Sequence, residues 1–385
     1  MDLPVPSTDA LAYSAALSDH IAREIDAAGG WIGFDRFMDL ALYAPAQGYY
    51  SGGAHKFGAQ GDFVTAPELG PVFAQSLAAQ AVQLLRLGSP QIIEVGAGSG
   101  QLAVDLLREL ERCGSLPDSY AILELSGELQ ARQRQAISAQ APQLLSRVRW
   151  LERLPECFDG LVLANEVLDA MPVHLVVWKS TGVVERGVAI DNGRFAWVDR
   201  PASGRLLERA LALAAECDMP PGYLSEVSLA AQAWVAAWAT RLGRGALLLI
   251  DYGFPRREYY HPQRSSGTLM CHYRHHAHGE PFYLPGLQDI TAHVDFTAIV
   301  ESGCWAGLEL LGYSTQSSFL FNCGLAEVLA RTPASDGRRY LPLAGAANKL
   351  VSPAEMGELF KVIALGRGIS EPLLGFSSGD RSATL

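Results

Sequence analysis

Gln91-Ile92-Ile93-Glu94-Val95-Gly96-Ala97-Gly98-Ser99-Gly100-Gln101-Leu102 decides the fold. An apolar run ends in an acid, and glycines follow at alternate positions. Beyond them Leu102, Ala103, Leu106, Leu107 and Leu110 recur at helical spacing. The stretch reads as a strand, a glycine turn and a helix. Glycines let a ligand approach the backbone closely, and a helix N-terminus presents free N–H groups.

The spacing narrows the ligand. A dinucleotide fingerprint is G-x-G-x-x-G. Here the third glycine comes one residue early, at Gly100, and position 101 is Gln. Acid-x-G-x-G-x-G is the pattern of S-adenosylmethionine (SAM) methyltransferases, whose ligand has no pyrophosphate. The alternative is a tight strand-to-helix turn with no ligand.

Outward from the motif the pattern alternates. A helix is expected from about 71 to 87, with Phe73, Leu77, Ala81, Leu84 and Leu85 on one side. After the motif, strands are expected at Tyr120–Glu124, Val148–Leu151 and Gly160–Ala164, with a helix through Leu129, Gln133 and Ile137. Later strands are Ala246–Ile250, Gly307–Leu311 and Phe360–Leu365. Alternating strands and helices imply right-handed crossovers and a parallel sheet. Residues 173–200 break the alternation with short runs at 176–178, 183–185, 188–190 and 195–198. Asp191-Asn192-Gly193 supplies a hairpin turn among them.

The whole chain bounds the partners. Net charge is −11 and no Lys/Arg run stands out, which argues against nucleic acid and anionic membrane. The six cysteines are scattered without a C-x-x-C pair, so neither a disulfide framework nor a zinc ribbon is expected. That points to a reducing compartment. The N-terminus lacks the order of a signal peptide and is not Arg-rich, and no apolar run reaches membrane-spanning length. A cytoplasmic location without membrane insertion is the expectation. Cys271-His272-Tyr273-Arg274-His275-His276-Ala277-His278 crowds potential ligands into one loop with no clear partner elsewhere. It reads as a polar or substrate-facing loop, and no metal is assigned.

In an open α/β sheet, ligands bind at the carboxyl ends of the strands. Those ends supply Glu94, Glu124, Asn165, Glu166 and Asp251. Several carboxylates at one edge are costly unless something polar or cationic sits there. Glu124, after the second strand, stands where an acid accepts both ribose hydroxyls of a nucleoside. It could equally cap a helix or face solvent. Glu166 follows Asn165 after the fourth strand, where a methyl acceptor would sit. Asp169 comes three residues later, and a helical turn would bring both carboxylates to one side. Two carboxylates can grip a guanidinium through paired, charge-assisted hydrogen bonds. The plainer alternative is that both acids merely start a helix. Residues 31–68 are rich in Gly and aromatics and short of any regular period. They read either as a surface loop with packed rings or as a lid over a ligand.

Longer segments carry a family resemblance. They are Phe37-Met38-Asp39-Leu40-Ala41-Leu42-Tyr43, Gly48-Tyr49-Tyr50 and Gly61-Asp62-Phe63-Val64-Thr65-Ala66-Pro67-Glu68. The glycine motif follows, then Asn165-Glu166-Val167-Leu168-Asp169-Ala170-Met171-Pro172-Val173, Asp251-Tyr252-Gly253 and His293-Val294-Asp295-Phe296. With these the chain resembles the MidA family, whose mitochondrial members are complex I assembly methyltransferases. The likeness spans about residues 20–365.

The resemblance implies a class I SAM-methyltransferase fold. That is a Rossmann-like α/β architecture with a seven-stranded, mostly parallel sheet, an N-terminal helical and loop cap, and an inserted subdomain. The expected segments are a helix and lid at 1–70, the first half of the core at 71–172 and an inserted hairpin and helix subdomain at 173–220. The core resumes at 221–254, an insertion loop fills 255–292, the core ends over 293–370, and a loose tail covers 371–385. The resemblance also implies SAM as methyl donor, with S-adenosylhomocysteine as product, and transfer to an arginine of a protein. For the mitochondrial branch that protein is a complex I subunit.

The cofactor set it implies is Gly61, Asp62, Phe63, Thr65, Pro67, Glu68, Glu94, Gly96, Ala97, Gly98, Gly100, Glu124, Leu125, Leu151 and Asn165. Leu151 or Glu152 would neighbour adenine, and the 61–68 segment would close over the site. Glu166 and Asp169 are the catalytic candidates. Two rival readings stay open: a SAM-binding assembly factor or chaperone, and a small-molecule methyltransferase. Homo-oligomerisation also stays open.

Overall fold

The structure is a computed structural model and describes residues 3–52 and 65–385. The chain divides into two compact units. A core unit takes Val64–Val167, Trp234–Phe254 and Phe296–Leu385. A second unit takes Met1–Phe63, Leu168–Ala233 and Pro255–Asp295.

The core unit is built on a mixed, mostly parallel sheet. Its strands in chain order are β1 (Gln91–Val95), β2 (Ser119–Leu123), β3 (Val148–Leu151) and β4 (Phe158–Asn165), then β5 (Leu242–Phe254), β6 (Glu309–Thr315) and β7 (Phe360–Arg367). They lie in the order β3-β2-β1-β4-β5-β7-β6. Among the described residues the sheet has eight strands, one more than expected, with seven on this path. Strands β1 to β5 run parallel, and β7 is antiparallel to both β5 and β6.

Sequence explains this burial. Parallel strands are covered on both faces, so they read as unbroken apolar runs. Ile92 and Ile93 of β1, Leu161 to Leu163 of β4 and Ala246 to Leu249 of β5 are fully buried. Each large aliphatic side chain contributes about 1.5–3 kcal/mol by leaving water. Helices Val72–Leu87 and Gln101–Arg112 add Phe73, Leu77, Leu84, Leu102, Leu106 and Leu110 to the same core.

The order reverses beside β1. β2 and β3 extend from one side of it, and β4 returns on the other. Such a switch point is where ligands bind in doubly wound sheets. Register lines up the strand ends there. Val95 lies beside Leu123 and Ala164, Leu123 beside Leu151, and Asn165 beside Ile250. The next residues of β1 to β4, Gly96, Glu124, Glu152 and Glu166, therefore leave the sheet at one edge, whereas Asp251, expected at a strand end, stays inside β5 because its pairing with β7 continues through Asp251–Lys361 and Tyr252–Phe360.

The second unit is assembled from helices Thr8–Ala27 and Phe34–Tyr43 and two antiparallel sheets. In the larger sheet Ile32–Gly33, Gly182–Asp191, His174–Lys179 and Tyr223–Val227 follow in that order, and Arg194–Pro201 pairs with Gly182–Asp191. Leu17, Ile21, Phe34, Phe37, Val188 and Ile290 form its core. The runs expected separately at 183–185 and 188–190 are one strand, because Arg186 and Gly187 continue the pairing on both neighbours. Asn192 and Gly193 have φ of 47° and 75°, the left-handed pair that a two-residue hairpin turn requires.

Other expectations change too. Residues 255–292, read as an insertion loop, carry strands Met270–Tyr273, His276–His278 and Asp289–Thr291 in one sheet. Tyr223–Val227, placed where the core was expected to resume, belongs to the second unit. The tail read as loose is pinned: Leu373 and Phe376 are buried. Gly375 N also donates to Gln80 Oε1 at 2.8 Å, and Arg381 N to Tyr313 O at 2.6 Å.

Candidate active site

The glycine turn uses the freedom its sequence advertises. Gly96, Gly98 and Gly100 have φ of 65°, 53° and 85°, all left-handed. Gly96 N donates to Leu123 O at 3.1 Å, and Gly100 N to Ala97 O at 2.8 Å. A Cβ on Gly96 would lie 3.1 Å from Val167 Cγ2. A Cβ on Gly100 would lie 3.0 Å from Gln133 Cα. The turn then starts helix Gln101–Arg112 with its N–H groups at the sheet edge.

Glu94 and Glu124 are both buried, and each is matched. Glu94 is 2% exposed and takes a 2.6 Å hydrogen bond from the Tyr120 hydroxyl. Burial raises its pKa to about 7. Glu124 is 8% exposed, and burial raises its carboxyl above the usual range. Ser126 N donates to its Oε1 at 2.9 Å and Gln133 Nε2 to its Oε2 at 3.1 Å. Leu125, the next residue, is an apolar side chain left 78% exposed at the strand end. Leu151 O accepts from Glu124 N at 3.0 Å, which places Leu151 at the same edge.

In the sequence Gln133 reads only as part of a helical pattern. It is fully buried and joins three parts of the edge. Its Nε2 also donates to Gly98 O at 3.1 Å, and its Oε1 accepts from Trp150 Nε1 at 2.9 Å. One amide thus fixes the glycine turn, the Glu124 carboxylate and the indole of β3. A lone Gln in a polar helix carries no sequence signal for this. Only the adjacency of β1, β2 and β3 reveals it.

Thr65, Pro67 and Glu68 flank or form the short 3₁₀ turn Ala66–Leu69. The Ser99 hydroxyl of the glycine turn donates to Glu68 Oε1. Ala66 N donates to Glu166 Oε1 at 3.3 Å. Gly61, Asp62 and Phe63, in the expected cofactor set, lie outside the described residues.

Glu166 follows β4 with φ of 52°, left-handed for a residue with a Cβ. Its N donates to Ile250 O at 2.9 Å, and Asn165 Nδ2 donates to its Oε1 at 3.0 Å. Buried Asp251 fixes the backbone beside it, with Oδ2 accepting from Val167 N at 3.1 Å. The helical turn expected to pair Glu166 with Asp169 does not form. No helix follows Glu166, and Met171 N donates to Leu168 O at 3.2 Å to close a β-turn instead.

Asp169 is buried at the start of the second unit's middle segment, and its carbonyl accepts from Ala292 N at 3.0 Å. In that unit the Tyr50 hydroxyl donates to Asp289 Oδ1 at 2.9 Å, and the Tyr43 and Tyr50 rings stack at 5.5 Å. Burial, with Asp289 and Asp169 adding negative charge, holds the Tyr50 hydroxyl well above its ordinary pKa.

Residues 74–314 match the profile of a family of S-adenosyl-L-methionine-dependent methyltransferases. The chain belongs to that family. A Burkholderia thailandensis protein solved with S-adenosyl-homocysteine bound is 55% identical over the whole of both chains, with a TM-score of 0.96. Two mitochondrial proteins named protein arginine methyltransferase NDUFAF7 or its homolog are also similar. The one from Danio rerio is 28% identical, covering 92% of this chain and 88% of its own. The one from Drosophila melanogaster is 29% identical, covering 97% and 92%.

The edge of this methyltransferase fits its cofactor. Asn165 Oδ1 is buried and has no hydrogen-bond partner among the described residues, so it can take a donor from a ligand. Each Glu124 oxygen has a further lone pair for a ribose hydroxyl. Leu125 offers an apolar surface for a purine face. The alternating glycines remove the side chains that would keep a ligand from the backbone. When bound, S-adenosylmethionine supplies an electrophilic methyl group on a sulfonium.

Proposed function

We propose that this methyltransferase acts on an arginine side chain of a protein, with a respiratory complex I subunit as the favoured substrate. The relatives named protein arginine methyltransferases support the acceptor class. The observation that carries the reading is Glu166. A carboxylate at the switch-point edge is held on a left-handed backbone, between Ala66 N, Asn165 and the Asp251-braced turn. Strain of this kind persists where the surroundings enforce it, typically at functional sites.

A guanidinium has a pKa above about 12, so its nitrogens are poor nucleophiles while the charge is shared. Glu166 would hold the guanidinium by a charge-assisted hydrogen bond and draw the positive charge toward the bonded nitrogen. The free nitrogen would then take the methyl as its bond to the sulfonium sulfur breaks, leaving S-adenosylhomocysteine, and the proton released from that nitrogen would pass to solvent water. Most of the acceleration would come from positioning and fixed charge. The six free cysteines support a reducing location, and we place the protein in the cytoplasm. No helix among the described residues is long and apolar enough to cross a membrane.

Radiolabelled SAM incubated with the protein and cell extract tests the proposal. Label in protein is expected. Label in a small metabolite would make it a small-molecule methyltransferase. Cofactor binding with no transfer would make it a SAM-binding assembly factor.

A further inference from the structure

Outside the transfer site, three side chains of the second unit come together. Asp35 sits in the first turn of helix Phe34–Tyr43, His174 opens strand His174–Lys179, and Glu185 lies on strand Gly182–Asp191. His174 Nδ1 lies 2.8 Å from Glu185 Oε1 and 3.4 Å from Asp35 Oδ1. All three ligand atoms fall within 4.8 Å of one another. We propose that Asp35, His174 and Glu185 form a binding site for a divalent transition-metal ion of the zinc class. The proposal is independent of the acceptor assignment above.

Three observations carry it. The first is spacing. Zinc bonds of about 2.0–2.1 Å to nitrogen and oxygen set the edges of a tetrahedron at roughly 3.3 Å. The Asp35–His174 separation of 3.4 Å already matches, and the 2.8 Å His174–Glu185 contact must open by about half an ångström.

The second is charge. Two carboxylates and a neutral imidazole carry a net charge of −2, which one dication cancels. The neighbouring arginines do not serve this purpose. Arg36 pairs with Glu24 and Asp39, and Arg186 pairs with Asp199. Both cations next in sequence to the two carboxylates are thus turned to other acids.

The third is the space kept for the carboxylates. A Cβ on Gly33 would lie 2.3 Å from Asp35 Oδ1 and 2.8 Å from Glu185 Oε1. Any other residue at 33 would push the two oxygens away. Donor type selects the ion, since imidazole nitrogen suits zinc and its transition-metal neighbours, whereas calcium and magnesium want oxygen alone. The side chains keep between 16% and 33% exposure, so water can complete the coordination. The bound ion would tie the helix bearing Asp35 to strands more than a hundred residues away in sequence.

Calorimetry with zinc chloride on chelator-treated full-length protein at pH 7.5 tests the site. One saturable equivalent and a higher melting temperature are expected for the wild type. His174→Gln and Glu185→Gln should both lose that equivalent, and His276→Gln, on the second unit's exposed hairpin, should keep it. If His174→Gln misfolds by circular dichroism, the size-preserving Glu185→Gln decides. No saturable zinc binding by the wild type overturns the proposal. Undiminished binding by the folded His174 or Glu185 variant overturns it too, because the ion would then sit elsewhere and the triad would be only a hydrogen-bonded one.

Discussion

Glu166 is strained in backbone and charged in side chain, and the two properties separate experimentally. A left-handed conformation costs a residue with a Cβ about 1–2 kcal/mol, so Glu166→Gly should melt no lower than the wild type yet lose turnover. Glu166→Gln keeps the size and removes the charge. Loss of a charge-assisted hydrogen bond worth about 1.5–3 kcal/mol should slow single-turnover transfer by about one to two decades. SAM affinity and the melting curve should change little. A stable Glu166→Gln variant with wild-type turnover would refute the assigned role. Gln133 gives the converse result. Gln133→Met leaves Gly98 O, Glu124 and Trp150 Nε1 without their shared partner, at about 1–3 kcal/mol for each buried group. Calorimetry should show SAM binding weakened by about tenfold or more, and an unchanged affinity would remove Gln133 from the site. Glu94 sets a pH dependence. Its folded pKa of about 7 lies above the ordinary 4.5, so its contribution to stability is complete below pH 4.5 and is lost as pH rises through about 7. Tyr120 and Glu124 are the titratable groups acting on it. Glu94→Gln should flatten the cofactor-free melting temperature over that window, and an unchanged slope would contradict the assignment. The acids at strand ends were legible because type and position both show in sequence. Gln133 was not, because an amide gains its meaning only from three strands that meet in space.

Helices and strands were legible to different degrees for physical reasons. Buried parallel strands such as Leu161–Ala164 and Ala246–Ile250 show as apolar runs because both faces are covered. The glycine turn showed because glycine takes positive φ most readily, and here three alternate positions need it. Gly98→Val should abolish SAM binding in calorimetry, since a branched residue is excluded both by the φ of 53° and by the ligand. Elsewhere tertiary contacts decided. The stretch after Glu166 has acids at helix-like spacing, yet it closes the Leu168–Met171 turn and forms no helix. The tail is polar in composition, yet two buried apolar side chains and Gln80 hold it. The turn Ala66–Leu69 touches both the glycine turn, through Glu68 and Ser99, and Glu166, through Ala66. Cofactor binding should therefore slow hydrogen exchange across 65–69. Equal exchange with and without SAM would count against a closing role for this segment.

The whole molecule is two units interleaved in sequence, and that was the least legible level. The parallel pairing of the core unit was legible in the alternation of strand and helix, while the order of its strands was not. The second unit collects three separate stretches of chain, so no continuous period marks it. Its larger sheet pairs Ile32 with Val188, and no local pattern foretells a pairing between residues so distant in sequence. The proposed activity, transfer of a methyl group from SAM to a protein arginine, belongs to the whole chain. The most direct measurement is mass spectrometry of methylated arginine across the proteome of the source organism, with and without the gene. At least one arginine methylated in the parent strain should be unmodified in the deletion strain. Methylation should return with the wild-type gene and stay absent with Glu166→Gln. Identical methylarginine profiles in the parent and deletion strains would contradict the account.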